Sequence, residues 1–283
     1  MANTIGFGQA AVNNTIDYGQ GAIDNTINWG KSQTLSSSGE TNITGTGGTP
    51  PFSNTKSILL DGVDDYVDCG DNDNLSFGNG STDSPFSISA WIKMSDTSGF
   101  RIFNKYTGSI NEYQFGTGGA EKLQFYVFDS TSNFKYRARL YNTILNTGQW
   151  YHVVATYSGV GGTNAQNGIK IYVDGVRVDD TTISGGSYNA MGNKTTPVYI
   201  GKLDSSYSDG NIDEVSIFNT ELSQSDITSI YNGGVPNDLT SLSPLSWWRC
   251  GDGDTAPTLT DNGSGGNDGT MTNFTTFSTD VPT

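Results

Sequence analysis

An all-β sandwich is what this sequence predicts, and three observations carry the prediction. Aromatic residues make up 11 % of the chain and charged residues only 15 %, while Gly, Asn, Ser and Thr fill much of the rest, a mixture that suits pleated strands and tight turns better than helices. From residue 56 onward, short apolar runs alternate with period two, as half-buried strands do. Turn residues separate those runs, as expected of a two-sheet sandwich or jelly roll. A chain of 283 residues has room for one large β domain of this kind.

The chain opens differently. Asn-Thr-Ile recurs at 3–5, 14–16 and 25–27, and each copy is followed two residues later by an aromatic and a glycine: Phe7-Gly8, Tyr18-Gly19 and Trp29-Gly30. A period of eleven suits a helical supercoil, but the glycines and the Asn-Thr-Ile triplets are poor helix formers. Residues 1–34 therefore read as an extended arm. One aromatic and a few aliphatics per repeat bury too little apolar surface to offset the entropy of ordering the arm. It is expected to be held by a partner, with Phe7, Tyr18 and Trp29 either inserting into that partner's grooves or packing on one another in an oligomeric stalk. Residues 35–55, rich in Ser, Gly, Thr and Pro, read as a linker to a domain spanning 56–283.

Within that domain, the run from Phe86 to Met94 puts Ile88, Ala90 and Ile92 on one face, and the run from Lys122 to Asp129 does the same with Leu123, Phe125 and Val127. Strands are expected again at 151–157 and at 168–178, where Asp174-Gly175 is a two-residue hairpin signal. Shorter runs follow at 197–201 and 211–218. One helix interrupts them at 222–234: Ser223 is its N-cap, Asp226 sits three residues on, and Gly233 marks its stop.

A net charge of −15 and a pI of about 4.2 argue against nucleic acid or anionic lipid as partner. No run of 18 apolar residues exists, so no membrane insertion is expected, and the N-terminus lacks the features of a secretory signal. Synthesis in a cytoplasm is the expectation, and there Cys69 and Cys250 are expected as two independent buried thiols. Catalytic readings find little. The single histidine, His152, lies inside a strand run. Asp213 and Glu214, as strand neighbours, point to opposite faces and cannot act as opposed acid and base across one glycosidic bond. Asp213 shares its face with Val215 and Ile217, which reads as the inner one, where an unpaired carboxylate is costly. A cation would resolve that conflict, and oxygen donors suit calcium. Tyr106, Tyr113, Tyr136, Tyr141 and Tyr188 lie on or beside loops, available either to stack on sugars or to pack the sheets.

The segments SILLDGVDDYVDCG, FSISAWIKM, FNK, GQWYHVVATY, IKIYVDGVRV, VYIGK and GNIDEVSIFNTELSQSDITSIYNGG, in this order over about residues 57–234, resemble the laminin-G-like members of the concanavalin A-like lectin/glucanase superfamily. The resemblance implies a jelly-roll sandwich, a fold that serves lectins, glycosidases, adhesins and spacers alike. It implies a structural His152, and the Glu-x-Asp-x-x-Glu run expected of the glycosidases is missing. Family members usually open with a Trp strand, an acidic-glycine loop and a Gly-Thr-rich strand. That opening is absent at the front, while LSWWRCGDGDTAPTLTDNGSGGNDGTMTNF at 245–274 resembles it. A circular permutation is implied, with the 245–275 segment completing its own domain; the alternatives are a second, truncated module or a swap into a neighbouring subunit. The resemblance also implies a structural calcium held by Asp213, by Asp61 and Gly62, and by Asp252, Asp254 or Asp261.

A short Asn/Gly/aromatic repeat ahead of such a module, with a GDGDT…GNDGTMTN tail, is similar to the layout of bacteriophage virion proteins. This implies a virion surface protein without enzymatic activity. The repeats would dock on capsid, neck or tail as a homo-oligomer, and the jelly roll would face outward to meet host-surface glycans or to decorate the shell. Alternatives are an accessory binding module of a carbohydrate-active enzyme and a structural capsid cement without ligand.

Overall fold

The computed structural model describes residues 52–118 and 121–283, together with the backbone of a short antiparallel pair, Thr34–Leu35 with Ile43–Thr44. The last residue read as arm and the stretch read as linker thus share a two-residue ladder. Phe7, Tyr18 and Trp29, the expected partner-binding residues, lie outside the described residues. A compact unit runs from Asn54 to Thr283, and it is built almost entirely of strands.

Two antiparallel sheets face each other. Along the first, the order is Val176–Arg177, Ile169–Val173, Trp150–Tyr157, Phe86–Met94, Asp209–Phe218, Ser57–Asp61 and Phe277–Ser278, with Ser246–Trp248 also paired to Asp209–Phe218. Along the second it is Thr181–Gly185, Ser132–Ile144, Lys122–Asp129, Asn111–Thr117, Arg101–Tyr106, Tyr199–Ile200, Tyr66–Asp68, Gly269–Thr272 and Thr258–Leu259. The alternation legible in the sequence aims Ile88, Ala90 and Ile92 from one sheet at Leu123, Phe125 and Val127 from the other, and all six are fully buried in one core. Phe77, Phe86 and Tyr113 stack at one end of that core, with Phe86 parallel to Phe77 at 4.3 Å between centroids. Each such residue removed from water contributes roughly 1.5–3 kcal/mol.

Local chemistry sets the turns and the helix. Asp174 and Gly175 both take positive φ, 49° and 77°, closing the Val173–Val176 hairpin with the twist that a two-residue turn requires. The helix is Gln224–Tyr231, opened by a capping box between Ser223 and Asp226 and closed by Asn232 at φ 47°, one residue ahead of the expected stop. Its Ile227 and Ile230 are buried. No helix among the described residues is long and apolar enough to cross a membrane.

The C-terminal segment enters both sheets of its own chain. Ser246–Trp248 pairs with Val215–Ile217, Gly269–Thr272 extends the second sheet beside Tyr66–Asp68, and Phe277–Ser278 lies against Ser57–Ile58. Trp248 is fully buried, its indole donating to the Asn267 carbonyl at 2.8 Å and its ring 5.7 Å from that of Phe103. Cys69 and Cys250 are buried free thiols, and desolvation pushes both well above the ordinary thiol range.

Candidate functional site

The outer face of the first sheet is occupied by the protein itself. Trp91 and His152 are direct cross-strand partners, and Tyr231 of the helix stacks over both at 6.0 Å. His152 Nε2 bonds the Ser89 hydroxyl at 2.8 Å. Burial alone pulls the imidazole down to about 3, so it is neutral at physiological pH and closed to substrate. The histidine is structural.

Beside this covered patch lies a buried acidic pair, and its geometry corrects the strand reading. The ladder between Asp209–Phe218 and Phe86–Met94 shifts register between Asp213 and Ser216, and Glu214 adopts φ 47°. This bulge inserts one residue, so strict alternation fails. Asp213 pairs with Trp91 on the outer side of the sheet, while Ile212, Val215 and Ile217 enter the core; the inner-face placement of Asp213 is therefore overturned. Nor are the two carboxylates split between a buried and an open face, since both are buried. Asp213 accepts from Asn54 Nδ2 and from the Glu214 amide, each at 2.8 Å. Glu214 accepts from Trp247 Nε1 at 2.6 Å and from Arg249 Nε at 3.3 Å. Burial raises Asp213 well above the usual carboxylate range and Glu214 to about 7, the latter against the pull of Arg249.

The expected calcium ligands do not converge here. Asp61 pairs with Asp209, four residues along the strand from Asp213, a separation of roughly 13 Å at strand rise; Gly62 lies beyond it, its amide bonded to the Ser208 carbonyl. Asp261 organises its own loop, accepting from the amides of Trp247, Gly263 and Asn267, and Asp254 accepts from those of Gly251 and Thr260. Asp252 does lie near the pair, where it accepts from Thr55 and Lys56 and faces Arg249 at 3.7 Å. All four oxygens of Asp213 and Glu214 thus have N–H donors, and the Arg249 guanidinium lies between Glu214 and Asp252. These residues do not fit as one calcium shell. Asp61, Asp64 and Asp65 form a separate acidic group within 4.8 Å; Asp61 Oδ1 is engaged by the Val63 and Asp64 amides, which hold its pKa below the usual range.

The second sheet presents a different outer face. Along Lys122–Asp129 the residues opposite in parity to the core set are Gln124, Tyr126 and Phe128, and their cross-strand partners are Gln114, Gly116, Ala138, Leu140 and Tyr136. Four rings gather there: Tyr126 lies 5.8 Å from Phe128 and 5.4 Å from Tyr136, and Tyr106 meets Phe128 edge-on at 5.4 Å. Tyr106, Tyr126 and Tyr136 remain partly exposed. Phe134, with the parity of Tyr136, is 85 % exposed. Elsewhere on this face Tyr66, Tyr199 and Tyr207 surround Lys202, whose ammonium lies 3.8, 4.7 and 5.6 Å from the three rings; their cation–π capacity is taken up by the protein. The tyrosines named from the sequence now divide. Tyr106 and Tyr136 are on the open face, Tyr141 packs half-buried against the core, and Tyr113 and Tyr188 are buried with hydroxyls donating to the Leu75 carbonyl and to Asp83.

A cleft of about 350 Å³ opens where these strands end, lined by residues 109–111, 129–134 and Lys194. Its walls are braced internally: Asp129 accepts from Thr131 and the Asn189 amide, Asn133 Nδ2 reaches the Gly108 carbonyl, and Lys194 Nζ donates to the Ser130 carbonyl at 2.6 Å. Asn111 is 1 % exposed, and neither atom of its amide has a hydrogen-bond partner among the described residues. Leaving a buried polar group unpaired costs about 1–3 kcal/mol. Sequence reading missed both Asn111 and Phe134; the alternation of aromatic and basic residues through Phe134–Leu140 was the signal that could have found the latter.

A family model of the laminin G type, described as the concanavalin A-like lectin/glucanases superfamily, matches residues 61–228. A Bacteroides ovatus protein to which carbohydrate binding is ascribed superposes with a TM-score of 0.55 at 18 % identity, over 86 % of this chain and 68 % of that one. The CBM40 module of a Ruminococcus gnavus IT-sialidase, bound to α2,3 sialyllactose, gives 0.44 at 10 % identity over 62 % of this chain and 96 % of that one. The mouse laminin α1 domains LG4-5 give 0.39 at 14 % identity over 68 % and 46 %. No curated protein matches the chain. Two antiparallel sheets around one core and a family match across more than half the sequence lead to one conclusion: the chain belongs to the concanavalin A-like lectin/glucanase superfamily.

Proposed function

We propose that this protein is a non-catalytic carbohydrate-binding module carried on a virion surface, displayed by its N-terminal repeats toward host glycans. The observation that carries the binding reading is the open outer face of the second sheet, where Tyr106, Tyr126 and Tyr136 remain partly exposed beside a polar cleft. Tyrosine rings offer flat apolar area with a polar edge, which suits a sugar's C–H face and its hydroxyls together. On the first sheet the histidine and the acidic pair are buried and bonded within the protein, and the partly exposed Trp150 has its indole N–H committed to Asp280. Support for the virion setting comes from the eleven-residue repeat with one aromatic per copy, a pattern suited to repeated grooves on an oligomeric partner.

A glycan panel probed with the full chain tests the first part: binding that falls at least tenfold in a Tyr126→Ala/Tyr136→Ala variant supports it, and no binding to any glycan overturns it. For the second part, the full chain and a Phe7→Ala/Tyr18→Ala/Trp29→Ala variant are co-sedimented with phage particles lacking the protein. Loss of co-sedimentation in the variant alone is the expected result; equal binding of both removes the docking role from the repeats.

A further inference from the structure

We propose that the cleft between residues 109–111 and 129–134 is the primary subsite of that glycan-binding face, taking one pyranose ring with Phe134 as its stacking platform and the Asn111 amide as its hydroxyl reader. This rests on the carbohydrate reading above and adds the place and the chemistry of recognition.

Three observations converge on the cleft. Its volume, about 350 Å³, lies at the lower end of small-ligand sites, enough for a single ring with its substituents. Phe134 stands at its wall, 85 % exposed and without an aromatic neighbour among the described residues. An aromatic left in water beside a polar pocket is the arrangement that receives an apolar ring face. Asn111 supplies the complement. Its amide offers one carbonyl acceptor and two N–H donors, neither atom bonded within the protein. Two adjacent sugar hydroxyls, one donating to Oδ1 and one accepting from Nδ2, match that amide edge. The hydroxyls of Ser109, Ser130, Thr131 and Ser132 surround the same space. The rest of the cleft is already fixed: the Asp129 carboxylate is engaged by Thr131 and Asn189, and Lys194 by Ser130. These walls are therefore shaped before a ligand arrives, and the ordering cost of binding falls on Asn111, whose sealed amide turns into the cleft to meet the sugar.

Specificity follows from the same geometry. A buried amide satisfied by two vicinal hydroxyls rejects a deoxy sugar lacking either one, since the amide would again be left unpaired. Beyond the cleft, Tyr136 and Tyr126 continue along the sheet, so further residues of an oligosaccharide extend over that strip.

The test uses the full chain and an array of neutral mono- and oligosaccharides, with affinities of the best binder then measured by calorimetry. Phe134→Ala and Asn111→Leu are each expected to weaken binding at least tenfold. Asn111→Leu keeps the side-chain size, removes no bond made within the protein and relieves an unpaired buried amide, and Phe134 is exposed, so neither variant should melt below the wild type. Tyr66→Ala, at the lysine-filled cluster, should bind normally. Wild-type binding that neither cleft variant weakens overturns the subsite while leaving the carbohydrate reading in place. Failure of the wild type to bind any sugar overturns both.

Discussion

The two outer faces of this sandwich start from similar residues and end differently. Each carries aromatic side chains at the positions opposite the core. On the first sheet, Trp91 and His152 lie beneath Tyr231 of the Gln224–Tyr231 helix; on the second, Tyr106, Tyr126, Tyr136 and Phe134 keep access to solvent. The difference does not reside in the strands. It resides in a capping box and two isoleucines placed elsewhere in the sequence, which give one face a helix to bury against. An outward aromatic on a strand is thus a packing residue or a binding residue according to what the rest of the chain lays over it.

The comparison is most sharply tested by acid. His152 sits at about 3 because of burial, against 6.5 in an unfolded chain. The unfolded state binds the proton first, so stability present above pH 6.5 is lost as pH falls toward 3, by up to roughly 5 kcal/mol. Because the chain has one histidine, its imidazole resonance is unambiguous: it should stay neutral from pH 7.5 to 4.5. A midpoint near 6.5 would mean that the helix does not seal the face.

Truncation comes next. Ile227→Ala, on the buried side of the helix, should cost about 2–5 kcal/mol in urea unfolding; an unchanged midpoint would show that the helix contributes little. Glu112 gives a signal of opposite sign on the second sheet. Desolvation raises it to about 7, with Lys105 3.7 Å away opposing the shift. Its favourable contribution is present below pH 4.5 and is lost as pH rises through 7, an effect of up to roughly 3 kcal/mol. Glu112→Gln should therefore stabilise the protein at pH 8 and leave it unchanged at pH 4.5; destabilisation at pH 8 would show that the Lys105 pairing outweighs burial. Removing the helix cap by Ser223→Ala should cost about 1 kcal/mol, readable as a lowered Tm. Smallest of all, Phe134→Ala on the open face should change stability by less than ~0.5 kcal/mol. A loss comparable to that of Ile227→Ala would mean that Phe134 packs instead of standing free.

Much of the fold was legible because period two is a strong signal wherever one face is buried. The runs from Phe86 to Met94 and from Lys122 to Asp129 coincide with strands at both ends. The 13-residue strand Ser132–Ile144 was not read, although it alternates, because its two faces exchange the usual roles. Arg137 and Arg139 share a face with core-directed partners, and their guanidinium groups are absorbed by the carbonyls of Thr163, Gln166, Gly185 and Gly186 and by Asp179. Its Phe134 and Tyr136 lie on the opposite, outer face, while Tyr141 packs against the core. The bulge at Glu214 escaped for a different reason: one extra residue reverses the parity of everything on one side of it, and no glycine marks the place. Asn111 was invisible because an unpaired amide is a property of surroundings that sequence does not list.

One feature at the edge of the first sheet bears on how this domain carries load. The strand Ser57–Asp61, where the chain enters, is paired to Phe277–Ser278 near its exit, and just before it Asn54 and Thr55 are tied to Asp213 and Asp252. A pull through the N-terminal side meets these side-chain ties before it reaches the ladder, and it enters the first sheet, whereas a glycan held at Phe134 would pull on the second. Tension between tether and ligand would then cross the sandwich through its interlocked core, loading many side chains at once, and would not peel a single strand bond by bond.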